Sequence, residues 1–513
     1  MFYHPKSYRM WDTWMYYYKG THYLYYLCGP YTREVNLFSR ATYDDMLYRN
    51  QYLLWILGRY QADAVGEYAG MATSKDGVIW KEYGTILKKS EKNTSWMGTG
   101  SIWPSENYKK DGKFIMNYSE WRPEQTIFFA ESTDLIKWNK LGDDYAFRID
   151  DRWYSKDPTW YPIVSGRWDC IASVSRKEGG RYGYWTADLK PSLGKFGFGF
   201  GYTEDGIRWE AQAPPKIDWE SHEYSKPKFS MEIVGMAKIG DYYYGIAHIG
   251  EFANCTFMSK EPQGPFWPAK KNYYTLAGSA TNCVRFHETP EGPLIHYTAW
   301  DQHYKVCYFS PLKKALIDSE GILRLGWWDG NNKLKDKEIK VTAKKETVNG
   351  LKITMLDNKF DTDSGIILEG TMDLAGCDVF KNDKADILSD KGKDILEKES
   401  SDLLTRNRLS GIYVEYDKEI GTAFLIDSKG VTKYGSVKSD GSCFSCHGHI
   451  NREYNFSSPA RFRLLLKEAL MEFYLNDIMI QAHTMVRPAT GKLGIIINGN
   501  NEILKDLKAW KSI

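Results

Sequence analysis

Three carboxylates stand among unusually apolar neighbours. Asp12 lies in Arg9-Met10-Trp11-Asp12-Thr13-Trp14-Met15-Tyr16-Tyr17-Tyr18, Asp157 in Ser155-Lys156-Asp157-Pro158-Thr159-Trp160, and Glu232 in Phe229-Ser230-Met231-Glu232-Ile233-Val234-Gly235. Burying an unpaired carboxylate is costly, so an acid in such a setting has either a partner or a reactive role. Taken singly, each is more simply a structural carboxylate that caps a turn or pairs with a base. Taken together, acids of this kind are the equipment of general acid–base and covalent catalysis. A second constellation is Cys443-Phe444-Ser445-Cys446-His447-Gly448-His449. Its C-x-x-C-H spacing is that of a c-type haem attachment, and Cys443, Cys446 and His447 could supply three ligands to a structural zinc. A loop with coincidental thiols is the plainer reading, and no cofactor is expected. No P-loop, no H-E-x-x-H and no dinucleotide fingerprint occurs. The Gly-rich Phe196–Gly201 alternates with Phe, which suits a packed strand better than a phosphate cradle.

The elements that must position these acids are strands. Helical periodicity is scarce: Tyr43–Arg59 permits one or two helical turns, and Ala385–Leu404 could be a helix or a mobile loop. Aromatic residues make up 15% of the chain, enough to fill a large β core and to stack on sugar faces. Lys+Arg (68) nearly balances Asp+Glu (66), which argues against a nucleic-acid binder. No run approaches 18 apolar residues, so no membrane-spanning helix is expected. The start, Met-Phe-Tyr-His-Pro-Lys, has no basic-then-apolar leader; the expectation is a cytoplasmic protein or a trimmed secreted or periplasmic one. The eight cysteines are expected to be mostly free and buried.

One pattern recurs. Ser74-Lys75-Asp76-Gly77-Val78-Ile79-Trp80 returns as Ser132-Thr133-Asp134-Leu135-Ile136-Lys137-Trp138 and as Thr203-Glu204-Asp205-Gly206-Ile207-Arg208-Trp209, with Asp-to-Asp steps of 58 and 71 residues. Each copy is a turn leading to a strand that carries Trp. The steps match a four-stranded blade with its loops. A weaker turn at Lys260–Trp267 could close a fourth blade, and the N-terminal strands could complete a fifth. Eighteen of the 19 Trp fall at or before Trp328, and a Lys-rich polar stretch, Asn331–Gly350, follows as a connector. The expected fold is all-β: a five-bladed β-propeller over residues 1–335, then a C-terminal β-sandwich over residues 336–513.

The first half resembles glycoside hydrolase family 32, the β-fructosidases. That family opens with W-M-N-D-P-N-G, and here Trp11-Asp12-Thr13-Trp14 is followed by Tyr18-Lys19-Gly20-Thr21-His22-Tyr23-Leu24-Tyr25-Tyr26. Its F-S-G-S-A is similar to Gly98-Thr99-Gly100-Ser101-Ile102, its R-D-P to Lys156-Asp157-Pro158, and its E-C-P to Glu232-Ile233-Val234. Phe462–Asn476 is similar to its sandwich signature. The resemblance implies a retaining glycosidase cleaving terminal furanosides, by default β-fructofuranosides, with an oligo- or polysaccharide as partner. Asp12 would be the nucleophile, Glu232 the acid/base and Asp157 the transition-state stabiliser. Those roles would require a raised Glu232 pKa and an ionised Asp12. Ser101 and Lys156 would contact the sugar. Trp11, Trp14, Trp103 and Trp160 are candidates to stack on it, although a place in the core fits each equally well. The departures are specific: Asn before Asp12 and Pro-Asn-Gly after it are missing, Leu27 replaces a Gln, Lys156 stands where the family has Arg, and Cys-Pro after the acid is absent. The acids persist while the sugar-reading neighbours differ. A furanosidase of another sugar, or a noncatalytic carbohydrate-binding propeller, fits the same pattern.

Overall fold

The structure is a computed structural model. It describes all residues except 31–65, 94, 158–165, 195, 220–230, 250–252, 278–280, 302–305, 343–352, 378–409, 442–444, 486 and 497–503. The segments read as helical, Tyr43–Arg59 and Ala385–Leu404, fall outside the described residues, as do Trp160 and Cys443. Cys446 and His447 lie on a strand whose side chains there are not described. No helix among the described residues is long and apolar enough to cross a membrane.

The chain builds antiparallel sheets in sequence order. The first is β1 (Tyr8–Tyr18), β2 (Thr21–Pro30), β3 (Tyr68–Ser74) and β4 (Lys81–Lys88). The second is β5 (Ile102–Pro104), β6 (Phe114–Trp121), β7 (Gln125–Ser132) and β8 (Asn139–Lys140). The third is β9 (Trp168–Ser175), β10 (Arg181–Ala187), β11 (Gly199–Thr203) and β12 (Trp209–Gln212). The fourth is β13 (Met231–Ile239), β14 (Tyr242–Ile249), β15 (Ala253–Ser259), β16 (Trp267–Pro268) and β17 (Tyr274–Ala277). A fifth group follows: β18 (Thr281–His287), β19 (Leu294–Asp301), β20 (Val306–Phe309), β21 (Lys313–Ile317) and β22 (Leu323–Trp327).

The repeated turn is what ends the third strand of each of the first three sheets. Asp76, Asp134 and Asp205 each accept two backbone N–H groups through Oδ1, from Val78 and Ile79, Ile136 and Lys137, and Ile207 and Arg208, at 2.7–3.0 Å. The following residue has positive φ in every copy: Gly77 (71°), Leu135 (64°) and Gly206 (81°). Leu135 holds a conformation that ordinarily favours Gly because the Asx-type turn around it is saturated. The N-terminal strands do not complete a separate unit, as the repeat count suggested. They are the first two strands of the sheet that the first turn closes.

These sheets pack face to face in chain order. Along β6, Phe114 and Met116 join the core shared with the first sheet, whereas Ile115 joins the core shared with the third. Period-2 geometry thus buries both faces, which is why the strand reads as a continuous apolar run. The first strands of the groups also meet: β1 touches β5 and β18, and β13 touches both β9 and β18.

The Lys-rich connector is partly a strand. β23 (Lys335–Ile339) pairs with β34 (Leu504–Ser512). The fifth group continues through Gly326↔Ile478 into a sheet of β32 (Ile478–Thr484), β31 (Leu470–Leu475), β30 (Ala460–Lys467), β25 (Ile366–Met372), β34 and β23. A six-stranded sheet of β24 (Ile353–Met355), β33 (Leu493–Ile496), β26 (Ser410–Asp417), β27 (Ile420–Ile426), β28 (Val431–Lys438) and β29 (Ser445–Asn451) faces it. Phe462, Leu464 and Leu466 share one core with Ile412, Val414, Phe424 and Ile426, while Leu465 points the other way, into the core of the N-terminal half. Each such fully buried Leu contributes roughly 1.5–3 kcal/mol.

Candidate active site

Asp12, Asp169 and Glu232 come from the first strands of three different sheets, β1, β9 and β13. At each, the strand bulges. Trp11 and Asp12 together face the single Leu27, since Met10 pairs with Cys28 and Thr13 with Tyr26. On β9, Cys170 and Ile171 stand opposite Trp185 alone, directly after Asp169. On β13, Val234 is the extra residue, two places after Glu232. A fourth bulge on β18 places Cys283 and Val284 against Tyr297, directly before Arg285. A bulge re-aims the side chains beside it, and here four strands bend at the same level. Two bulge residues, Cys170 (φ 39°) and Cys283 (φ 52°), are held in the left-handed region.

Arg167 ties two of the acids together. Its guanidinium donates to Glu232 Oε1, to Asp169 Oδ2 at 3.2 Å and to Gln125 Oε1 at 3.1 Å. Asp169 Oδ1 accepts from Ser119 Oγ at 2.6 Å. His248 Nδ1 lies 3.8 Å from the other oxygen of Glu232. Arg285 donates to the Gly100 carbonyl at 2.7 Å and to Thr99 Oγ1 at 2.6 Å. The Gly98–Gly100 segment can pass this close only without side chains: a Cβ on Gly98 would sit 2.6 Å from Asp169 Oδ1, and one on Gly100 1.6 Å from the Asn117 carbonyl oxygen. The Asp12 carboxylate accepts no hydrogen bond from the described residues, which leaves its oxygens free.

The electrostatics follow from this geometry. Burial pushes Asp12 up to about 6, with repulsion from Glu232 and Asp169 adding to it and Arg285 and His248 opposing it. Burial also disfavours the Glu232 anion, but Arg167 and then His248 outweigh it and hold Glu232 well below the usual carboxylate range. The resting charge states are therefore the reverse of those expected from the sequence. The reason is the Arg167 ion pair, which the local sequence around Glu232 does not reveal.

The remaining expected site residues divide clearly. Asp157 is exposed in a turn, its N–H bonded to Ser155 Oγ, and Asp169 stands with Asp12 and Glu232 in its place. Lys156 is exposed, 3.9 Å from Asp151; the base among the acids is Arg167. Trp14 (2% exposed) stacks on Tyr25, and Trp103 (0%) donates to the Gly206 carbonyl, so both rings are core. Ser101 spends its hydroxyl on the Ile171 carbonyl and accepts from Asn117. Trp11 is half-buried, edge-on to Trp300 at 5.4 Å, beside Asp12. The six described cysteines form no disulfide and are buried. Among the described residues no group of His, Cys, Asp and Glu is arranged to hold a metal.

No family model matches the chain, and no curated protein is similar to it in sequence. Solved structures are similar in fold. Fructan 1-exohydrolase IIa from Cichorium intybus superposes with a TM-score of 0.67 at 13% identity, covering 100% of this chain and 96% of its own. A fructofuranosidase from Schwanniomyces occidentalis, complexed with fructosylnystose, gives 0.60 at 13% identity over 100% and 97%. The Bombyx mori GH32 β-fructofuranosidase gives 0.61 at 10% identity over 99% and 93%. The chain thus has the fold of these enzymes from end to end.

Proposed function

We propose that the chain is a retaining glycoside hydrolase acting on terminal furanosides, fructofuranosides by default. The observation that carries this reading is the convergence of Asp12, Asp169 and Glu232 from three sheets, each acid beside a strand bulge. The fold likeness supports it, since those structures are of enzymes named for fructans and fructofuranosides. In this reading residues 1–335 form a five-bladed propeller whose blades are the five strand groups, closed where β1 meets β18, and residues 336–513 form a sandwich of the two facing C-terminal sheets.

Asp12 attacks the anomeric carbon and forms a glycosyl-enzyme ester. Its unbonded carboxylate and its raised pKa make it a nucleophile that is ionised above about pH 6. Asp169 and Arg285 face the charge that develops on the sugar and on Asp12. Glu232 donates a proton to the leaving oxygen and then takes one from the attacking water. To do so it must first be released from Arg167. A substrate hydroxyl that draws Arg167 toward Asp169 and Gln125, its two other partners, would let the Glu232 pKa rise. Protonation of Glu232 would then be coupled to correct seating of the sugar.

The same ion pair favours a second reading, a carbohydrate-binding protein in which Glu232 stays ionised and no bond is cut. Release of reducing sugar from a panel of fructans and aryl furanosides separates the two. Hydrolysis by the wild type that is lost in Asp12→Asn and Glu232→Gln supports the enzyme. Saturable sugar binding with wild type and both variants equally inert supports the binding protein.

A further inference from the structure

The acids occupy only one end of the space enclosed by the first strands. A cavity of about 590 Å³ lies further along the same strands, lined by residues 14–17 of β1, 101–104 around β5, 172–175 of β9, 234–238 of β13, and Arg285, Phe286 and Glu288 at the end of β18. On β1, β9 and β13 these positions follow the acid in sequence. At about 3.3 Å per residue, Tyr16 lies on the order of 10 Å beyond Asp12. None of the three acids lines the cavity.

Basic residues outnumber acids on the cavity wall. Arg181 reaches into it from β10, donating through Nε to Ser173 Oγ at 2.9 Å and through one terminal nitrogen to Ser175 Oγ at 3.2 Å. It makes no ion pair with any described residue. Glu106 acts on it electrostatically without an ion pair, the Arg181 guanidinium lies over the Trp103 ring at 5.8 Å, and its second terminal nitrogen makes no hydrogen bond to a described residue. Burial without a bonded anion lowers even this guanidinium to about 10. Lys238, on the wall formed by β13, has no carboxylate partner among the described residues and lies over the Tyr243 ring at 5.3 Å. Glu288 is the one acid on the wall, and desolvation raises its pKa. Arg285 sits between this cavity and the acids.

We propose that this cavity is a second binding site, for a small organic oxyanion whose carboxylate or phosphate is gripped by Arg181, Ser173 and Ser175. A guanidinium with one terminal nitrogen unbonded, beside two hydroxyls whose protons are not given to it, offers several donors to such a head group. The volume suits a body of about monosaccharide size, being within the range of ordinary ligand pockets. The proposed gripping residues, Arg181, Ser173 and Ser175, have no part in the hydrolytic reading, and Arg285 alone is common to both sites.

Calorimetric titration of the full chain at low salt with inorganic phosphate, glucose 6-phosphate and gluconate tests it. Saturable one-to-one binding is expected with a Kd of about 1 mM or tighter for at least one organic anion. Arg181→Gln is expected to weaken it about tenfold or more, and Lys238→Gln less, with thermal unfolding unchanged. Preference for glucose 6-phosphate assigns the phosphate head, and preference for gluconate the carboxylate; either supports the site. Anomalous scattering from selenate soaked into crystals should place the anion beside Arg181, a result that does not depend on any variant folding. No saturable binding of all three probes, undiminished binding by a folded Arg181→Gln protein, or selenate found away from Arg181 would overturn the proposal.

Discussion

Two of the molecule's buried clusters of charge are built in opposite ways. Between the fifth strand group and the C-terminal sheet, Lys313 and Glu472 pair with no exposure of either side chain. Tyr297 and Tyr474 donate to the two Glu472 oxygens at 2.7 and 2.6 Å, and Lys313 also donates to the Pro311 carbonyl at 2.6 Å. One cation meets one anion, and every strong acceptor is used. Among the first strands, three carboxylates meet Arg167 and Arg285, and Asp12 is left without a hydrogen bond. The first arrangement joins two halves of the chain. The second holds surplus charge, which is unfavourable for folding and available for chemistry. Burial of a carboxylate is therefore a poor marker of a site; burial without saturation is a better one.

Substitution can break this contrast at either cluster, and the largest effect is expected at the unsaturated one. Asp12→Asn should lower turnover by about 10⁴-fold and Glu232→Gln by about 10²–10⁴-fold, without lowering the melting temperature. At the saturated cluster the effects should be on stability alone. Glu472→Gln or Lys313→Met should cost about 3–5 kcal/mol in urea unfolding, because each leaves a buried partner uncompensated. The double variant Lys313→Met/Glu472→Leu should recover much of that loss, and sugar hydrolysis per folded molecule should be unchanged.

A smaller effect sharpens the comparison through pH. The folded-state pKa of Asp12 is raised, so its protonated form favours folding; that contribution is present at low pH and is lost as pH rises through about 6. Asp12→Asn cannot ionise and should be more stable than wild type by roughly 1–3 kcal/mol at pH 8, by about half of that at pH 5, and by little below about pH 3.5. The wild-type kcat/KM should rise with pH through the same region as the nucleophile ionises. The smallest effect is expected at the exposed pair first read as part of the site. Asp157→Asn and Lys156→Gln should each change stability by less than about 0.5 kcal/mol and leave hydrolysis intact.

What was legible in the sequence was what local spacing encodes. The Asp-centred turns are visible because one side chain caps two backbone N–H groups within four residues, and the same bonds form in all three copies. Asp12 and Glu232 stood out because strands buried on both faces leave few polar positions. Asp169 did not, because Arg167-Trp168-Asp169-Cys170 lacks the proline that Lys156-Asp157-Pro158 shares with the family's R-D-P. An arginine two residues before an acid at the start of an apolar strand was the available signal. Arg167's hold on Glu232 spans 65 residues, and no local pattern announces it. The bulges are equally silent, since an extra residue shows only against a partner strand. The fifth strand group escaped notice because it carries no copy of the turn and runs on into the C-terminal sheet through β22 and β32.

The central claim, that Asp12 is the attacking carboxylate of a pair completed by Glu232, is tested most directly by trapping the ester. An activated aryl furanoside needs no acid to depart, so Glu232→Gln should still be glycosylated but should lose the base that activates water. Intact mass of that variant should rise by one sugar residue, and peptide mapping should put the added mass on Asp12. A label on Asp169, or saturable sugar binding with no covalent mass at all, would contradict the account.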